Sequence, residues 1–207
     1  MNLLSSFKKI FIMGIGGSGM SSIAKYLKQK GHDVEGYDQR ISYITNLLES
    51  DGVKTCQNLD NFKYQEDVLY VISSAINLEE TFLANYTENE NVISRPKFLE
   101  LLSEEVEILG ITGTHGKTST TALVSHIFHF NNKNASFIYG GVSGFGNLGG
   151  HFGEKTQPLI LETDEAFNTF KNINIKNLIV TNIDNDLSLI HISEPTRQEA
   201  ISYAVFC

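Results

Sequence analysis

The sequence predicts an α/β protein, a Rossmann-like parallel-sheet domain followed by the start of a P-loop α/β domain of the ATPase type. Three observations carry this. A short apolar run, a small-residue loop and a helix-period segment occur in that order twice, near residues 8–30 and again near 106–128. The first loop, "GIGGSG", spaces glycines 14, 16 and 19 as G-x-G-x-x-G. The second, "GITGTHGKTST", contains Gly-Lys-Thr at 116–118.

The first unit begins with "KKIFIM", a compact β-prone run ending in a glycine turn. The helix after it places Met20, Ile23, Ala24 and Leu27 at helical spacing and stops at Gly31. "DVEGYD" reads as a second strand ending at Asp38, "YITNLLESDG" as a helix closing on Gly52, and "DVLYVISSAI" as another buried strand. Repeated βαβ order calls for a parallel sheet with helices on its faces. The segment "TENENVISRPKFLELLSEEVE" reads as polar linker and then helix. This gives a first domain over residues 1–105 and a second over 106–186. In the second, "PLILETDE" and "NLIVTNID" read as buried strands with polar endings, where an open α/β sheet collects its ligands.

Composition narrows the function classes. With 207 residues, 41% of them hydrophobic, the chain can bury one large core or two modest ones. The 24 acidic residues exceed the 16 basic ones, so the net charge of −8 gives no overall attraction to nucleic acid or to an anionic membrane. Cys56 and Cys207 are too few for a disulfide framework or a zinc site and read as inert thiols in a reducing compartment. No apolar run reaches a membrane span or a secretory signal, so the expected location is the cytoplasm.

The first loop has a physical rationale as a diphosphate cradle. Gly14 permits the tight turn, Gly16 lets a diphosphate approach the backbone, and Gly19 lets the helix pack close to the strand. The free N–H groups at the helix start meet the phosphates. Asp38, at the end of the next strand, is placed to accept hydrogen bonds from a ribose or a base. A nicotinamide or flavin nucleotide suits this loop equally well. The second loop suits a triphosphate: backbone N–H groups cradle phosphate oxygens, Lys117 reaches the β and γ phosphates, and the Thr118 hydroxyl ligates magnesium. It is a variant loop, because Ile111 stands where the general pattern has its first glycine and Gly113 lies inside. Glu162, Asp164 and Glu165 at the end of the next buried strand offer hard oxygen ligands for that cation. His115 is read as passive, and His126 and His129 as structural or solvated. Phe128, Phe130 and Phe137 read as core, because no interleaved basic residues make them a base-stacking platform.

"GIGGSGMS", "ISSAI" and "GITGTHGKTSTT", followed by "YGG", "ETDE" and "VTNID", resemble the Mur ligase family of peptidoglycan synthesis over about residues 8 to 186. The resemblance is nearest to the members that join L-alanine to UDP-N-acetylmuramate. It implies that Gly14, Gly16, Gly17 and Gly19 surround the substrate diphosphate and that Asp38 lies near the uridine. It implies an ATP site formed by Gly113, Thr114, His115, Gly116, Lys117, Thr118 and Ser119. Thr118 and Glu162 would hold Mg2+, with Lys117 and Glu162 as the catalytic residues. The family chemistry passes through an acyl phosphate that the amine displaces, and it needs no protein nucleophile. No nucleic-acid or membrane partner is implied, and the oligomeric state is left open.

Two positions depart from the family pattern: Phe167 stands where the family has a further aspartate, and Leu187 where it has a histidine as a second metal contact. From there, residues 187–207, "LSLIHISEPTRQEAISYAVFC", resemble translated sequencing-adapter read-through, in which His191, Glu194 and Arg197 carry no meaning. On this reading the central domain is truncated, leaving uncovered apolar strands and an open edge, and the chain alone is inactive. The alternatives are a ligase that attaches a preformed tripeptide during recycling, against which the glycine and serine of "GIGGSGM" speak, and a non-catalytic nucleotide-binding remnant.

Overall fold

A computed structural model describes residues 3–143, 147–163 and 172–182, together with the backbone of 202–205. A short helix α1 (Leu3–Ser6) precedes β1 (Lys9–Met13), α2 (Ser18–Lys30), β2 (Asp33–Tyr37), α3 (Tyr43–Ser50), β3 (Lys54–Cys56), β4 (Val68–Ile72), β5 (Val92–Ser94) and α4 (Arg95–Glu105). The five strands form a wholly parallel sheet in the order β3-β2-β1-β4-β5, the doubly wound order. The second unit comprises β6 (Ile108–Thr112), α5 (Lys117–Phe130), β7 (Ser136–Val142), β8 (Leu148–His151), β9 (Leu159–Glu162), β10 (Ile175–Val180) and β11 (Ser202–Val205). Its sheet runs β11-β10-β6-β9-β7-β8, with only the β7–β8 pair antiparallel.

Local chemistry accounts for the helix ends. Gly31 closes α2 by donating its N–H to the Lys28 carbonyl at 3.1 Å, while His32 N–H reaches the Leu27 carbonyl at 3.1 Å. Ser42 caps α3 through a reciprocal box with Thr45, and Ser94 caps α4 just before Pro96 in its first turn.

Strand alternation splits the first sheet's side chains. Ile10, Ile12, Leu69 and Val71 face α2, α3 and α4, joining Ile23, Leu27, Leu48, Phe98 and Leu102 in one core. Phe11, Met13, Val68, Tyr70 and Ile72 face the other way. Helices were expected on both faces. The second face is instead covered by irregular segments that contribute Phe62, Tyr64, Phe82 and Tyr86, with Phe11 at 5.1 Å from Phe62 and Tyr64 stacked on Tyr86 at 3.9 Å between ring centroids. Aromatic rings carry enough apolar area per residue to replace a helix there.

Several boundaries differ from expectation. β4 stops at Ile72, and Ser73 turns the chain by donating its N–H to the Met13 carbonyl at 3.1 Å. Val92–Ser94, expected to be linker, is the edge strand β5. The hairpin β7–β8 and the short β3 went unforeseen, because glycines interrupt the first and only three residues make the second. β10 was expected to be buried, yet Leu178 to Val180 are only half-buried. Of the phenylalanine stripe, Phe128 and Phe137 pack against the core, but Phe130 is 79% exposed, as are Leu123 at 59% and Ile127 at 49%. These three positions lie on the outer face of α5, opposite its contacts with the sheet.

Helix α2 is the element that joins the two sheets. It carries the first core on one side and packs on β7 and β8 with the other, where Ser22 Oγ donates to the Tyr139 carbonyl at 2.7 Å. Gly150 makes this possible, since a Cβ there would collide with the Ser22 carbonyl oxygen. Phe152 N–H donates to Gln29 Oε1 at 2.9 Å, and Tyr26 meets the Phe152 ring edge-on at 5.5 Å. Lys30 at the end of α2 pairs with Glu105 at the end of α4 in a 2.6 Å ion pair.

Candidate functional site

The glycine loop leaves β1 at Gly14, whose φ of +79° only glycine adopts without strain. Gly14 and Ile15 donate their N–H groups to the Tyr37 carbonyl at 2.8 and 3.0 Å, fastening the loop across the end of β2. Asp38 completes the fastening. Its Oδ2 accepts the Gly16 N–H at 2.9 Å and its Oδ1 accepts the Arg40 N–H at 3.1 Å. The space beside Gly16 is therefore filled by protein: a Cβ would lie 2.7 Å from Asp38 Oδ2. Gly19 likewise makes room for the Arg95 guanidinium of α4, 2.9 Å from its Cβ position, and not for a strand. Gly17 is exposed at the start of α2, where a Cβ would stand a close 3.3 Å from the Gly14 carbonyl oxygen.

The second loop runs from β6 into α5. Gly116 caps the helix at φ +80° with open space where its Cβ would stand. Lys117 Nζ folds back to donate to the Gly113 carbonyl at 2.6 Å and the Thr114 carbonyl at 3.4 Å. His115 acts through its backbone, with its N–H on Asn182 Oδ1 at 3.0 Å and its carbonyl accepting Thr181 Oγ1 at 2.6 Å. Ser119 is exposed beside it in the first turn of α5, and His126 and His129 are exposed further along.

Glu162, at the end of β9, gathers both neighbours. Its Oε1 accepts the Thr118 hydroxyl at 2.7 Å and its Oε2 accepts the Gly140 N–H of β7 at 2.6 Å. Gly140 in turn faces α2: its Cβ position lies 3.4 Å from Ser18 Oγ and 3.6 Å from Glu162 Oε2. The two loops thus open onto one place, a convergence that the spacing of the motifs could not reveal. Ser18 and Gly140 are the site residues that sequence reasoning missed. Asp164, Glu165, Phe167 and Leu187 lie outside the described residues, as does all of the 187–207 tail except the backbone of β11, which pairs with β10.

A magnesium nucleotide fits these groups. Thr118 and Glu162 supply two hard oxygen donors, and magnesium characteristically takes one or two protein ligands, filling its octahedron with water and phosphate oxygens. The Thr114 hydroxyl is a buried oxygen with no hydrogen-bond partner among the described residues, inside the loop that would receive the phosphates. Among the described residues no cluster of three His, Cys, Asp or Glu forms a separate metal centre, and no helix is long and apolar enough to cross a membrane.

Residues 9–107 match the profile of the Mur ligase family, catalytic domain. UDP-N-acetylmuramate–L-alanine ligase of Cytophaga hutchinsonii is 30% identical over 193 residues, covering 88% of this chain and 41% of the relative. The Hydrogenobaculum enzyme of the same name is 36% identical, covering 87% and 40%. The crystal structure of UDP-N-acetylmuramate-alanine ligase from Thermotoga maritima superimposes with a TM-score of 0.73 at 28% identity, over 87% of this chain and 43% of that one. A ligase for UDP-N-acetylmuramate and a preformed tripeptide from Neisseria meningitides shares the fold, with a TM-score of 0.70 at 21% identity. The chain spans about two fifths of the length of the curated relatives it matches. Sheet order, loop chemistry and sequence similarity agree in likening the chain to the Mur ligase family, whose catalytic-domain profile residues 9–107 match.

Proposed function

We propose that the whole ligase joins L-alanine to UDP-N-acetylmuramate at the expense of ATP, and that this chain carries its uridine-nucleotide loop and its ATP loop, divided near residue 105. The observation that supports this best is the Thr118–Glu162–Gly140 cluster lying against the start of α2. An energy-coupled ligase needs its nucleotide-tethered acceptor and its phosphoryl donor at one point, and two separate nucleotide modules do not.

ATP, with magnesium, would supply the γ-phosphoryl group to the acceptor carboxylate with release of ADP, and the amine would displace inorganic phosphate from the resulting acyl phosphate to form the amide. The protein's share is positioning and charge neutralisation. Gly14, Gly16, Gly17 and Gly19 shape a loop without side chains that would admit the diphosphate to the N–H groups in the first turn of α2, with Asp38 bracing the loop toward the uridine end. Gly113 to Ser119 cradle the triphosphate. Lys117 would exchange the Gly113 and Thr114 carbonyls for phosphate oxygens, moving one positive charge onto the group in transfer. Thr118 and Glu162 hold the cation, and the Gly140 N–H keeps Glu162 oriented.

The test uses the full-length ligase. Lys117→Ala should lower kcat/KM for amino-acid-dependent ADP release by about 10²-fold or more. Activity that survives intact would favour a protein using only its first loop. Release driven by a tripeptide and not by L-alanine would assign the recycling reaction instead.

A further inference from the structure

We infer that Ser18 is a substrate-positioning residue, whose hydroxyl binds the carboxylate that the acceptor presents for phosphorylation. The inference rests on the reading of the first loop as the uridine-nucleotide site. The loop has two ends in space. Gly16 touches Asp38 at the β2 side, whereas Ser18, two residues on, touches Gly140 at the β7 side. A nucleotide sugar whose uridine lies toward Asp38 and whose diphosphate lies on the loop must direct its sugar toward Ser18. Ser18 Oγ and Glu162 Oε2 lie within 3.6 Å of one point, the Cβ position of Gly140, so the sugar substituent arrives beside the proposed cation and the ATP loop.

The hydroxyl is available for this. Ser18 is exposed, and it bonds within the helix through its carbonyl, which accepts Ser21 Oγ and Ser22 Oγ at 3.0 Å each. Among the described residues the Ser18 hydroxyl makes no hydrogen bond. A neutral hydroxyl orients the carboxylate without adding a further positive charge to the cation proposed at Thr118 and Glu162. Gly140 keeps the gap open. A methyl group at that position meets only ordinary contacts, so Gly140→Ala should fold while standing between Ser18 and the substrate.

The experiment is calorimetric binding of two uridine nucleotides to the full chain. UDP-N-acetylmuramate carries the lactyl carboxylate, and UDP-N-acetylglucosamine is the same molecule without it. Ser18→Ala and Gly140→Ala should each weaken UDP-N-acetylmuramate about tenfold and leave UDP-N-acetylglucosamine within about twofold. Equal loss on both ligands would give Ser18 a merely structural role and overturn the inference, as would no loss on either, with the loop assignment left standing. If the unaltered protein binds neither nucleotide, the loop assignment itself fails and takes the inference with it.

Discussion

Asp38 accepts the Gly16 N–H at 2.9 Å, and the same carboxylate oxygen occupies the place where a side chain at position 16 would begin, 2.7 Å from its Cβ. The two residues are one device: the absent side chain admits the carboxylate, and the carboxylate holds the backbone of the glycine loop in register with β2.

Gly16→Ala should therefore displace Asp38 and disorder the loop, whereas Asp38→Asn keeps an acceptor for Gly16. A charge-assisted bond to backbone is worth about 1.5–3 kcal/mol. UDP binding by calorimetry should fall at least about tenfold in Gly16→Ala and less in Asp38→Asn. Equal affinities in both variants and the parent would refute the pairing.

Thr118→Val removes the proposed cation ligand and the donor to Glu162 Oε1 without changing size. Its magnesium requirement for ATP binding should rise severalfold, read as a shifted midpoint in a magnesium titration with a fluorescent ATP analogue. An unchanged midpoint would exclude Thr118 as a ligand.

Gly150→Ala tests the seam between the sheets. Its Cβ would meet the Ser22 carbonyl oxygen, which belongs to helix backbone and cannot rotate away. Overpacking of this kind costs about 1–3 kcal/mol. The urea midpoint should drop accordingly, and a midpoint equal to the parent's would mean that α2 is not clamped on β8.

The Cys56 thiol is pushed up to about 11 by burial, with Glu35 adding to it, so little thiolate exists at neutral pH. Site-resolved mass spectrometry after iodoacetamide at pH 7.5 should show Cys56 modified at least about tenfold more slowly than free cysteine, whose pKa is about 8.5. Modification at the free rate would show the thiol to be open.

Burial lowers the pKa of both His32 and His151, with Lys25 and His129 adding to the effect at His151. Nδ1 of His32 faces the Phe7 carbonyl at 3.0 Å and Nε2 of His151 faces Asn134 Oδ1 at 2.7 Å, bonds that a neutral ring makes by donating that N–H. Below about pH 6.5 the unfolded chain binds these protons more readily than the folded one, so stability falls as pH falls from 7 toward 5.5. The thermal midpoint should decline over that interval, and the decline should shrink in His32→Gln/His151→Gln. The same slope in the double variant would remove the histidines as its cause.

The sequence by itself determined the two loops, the strands that feed them and the helices that follow, because each rests on local rules: apolar periodicity, glycine where the chain turns, a capping residue at a helix start. The two side chains that meet at 2.7 Å, Thr118 and Glu162, were singled out too, as the hydroxyl after Gly-Lys and the carboxylate at the end of a buried strand. What only tertiary structure decided is what the glycines are for and where the loops meet. Gly16 and Gly19 accommodate Asp38 and Arg95, partners more than twenty and seventy residues away, and no spacing rule encodes that distance. The approach of Ser18 to Gly140 and Glu162 depends on α2 lying flat on β7 and β8, which Gly150 permits by lacking a side chain. Phe130 shows the same limit in reverse: the lack of interleaved basic residues made it read as core, and its solvent exposure follows from which face of α5 the sheet covers, a matter of packing between elements.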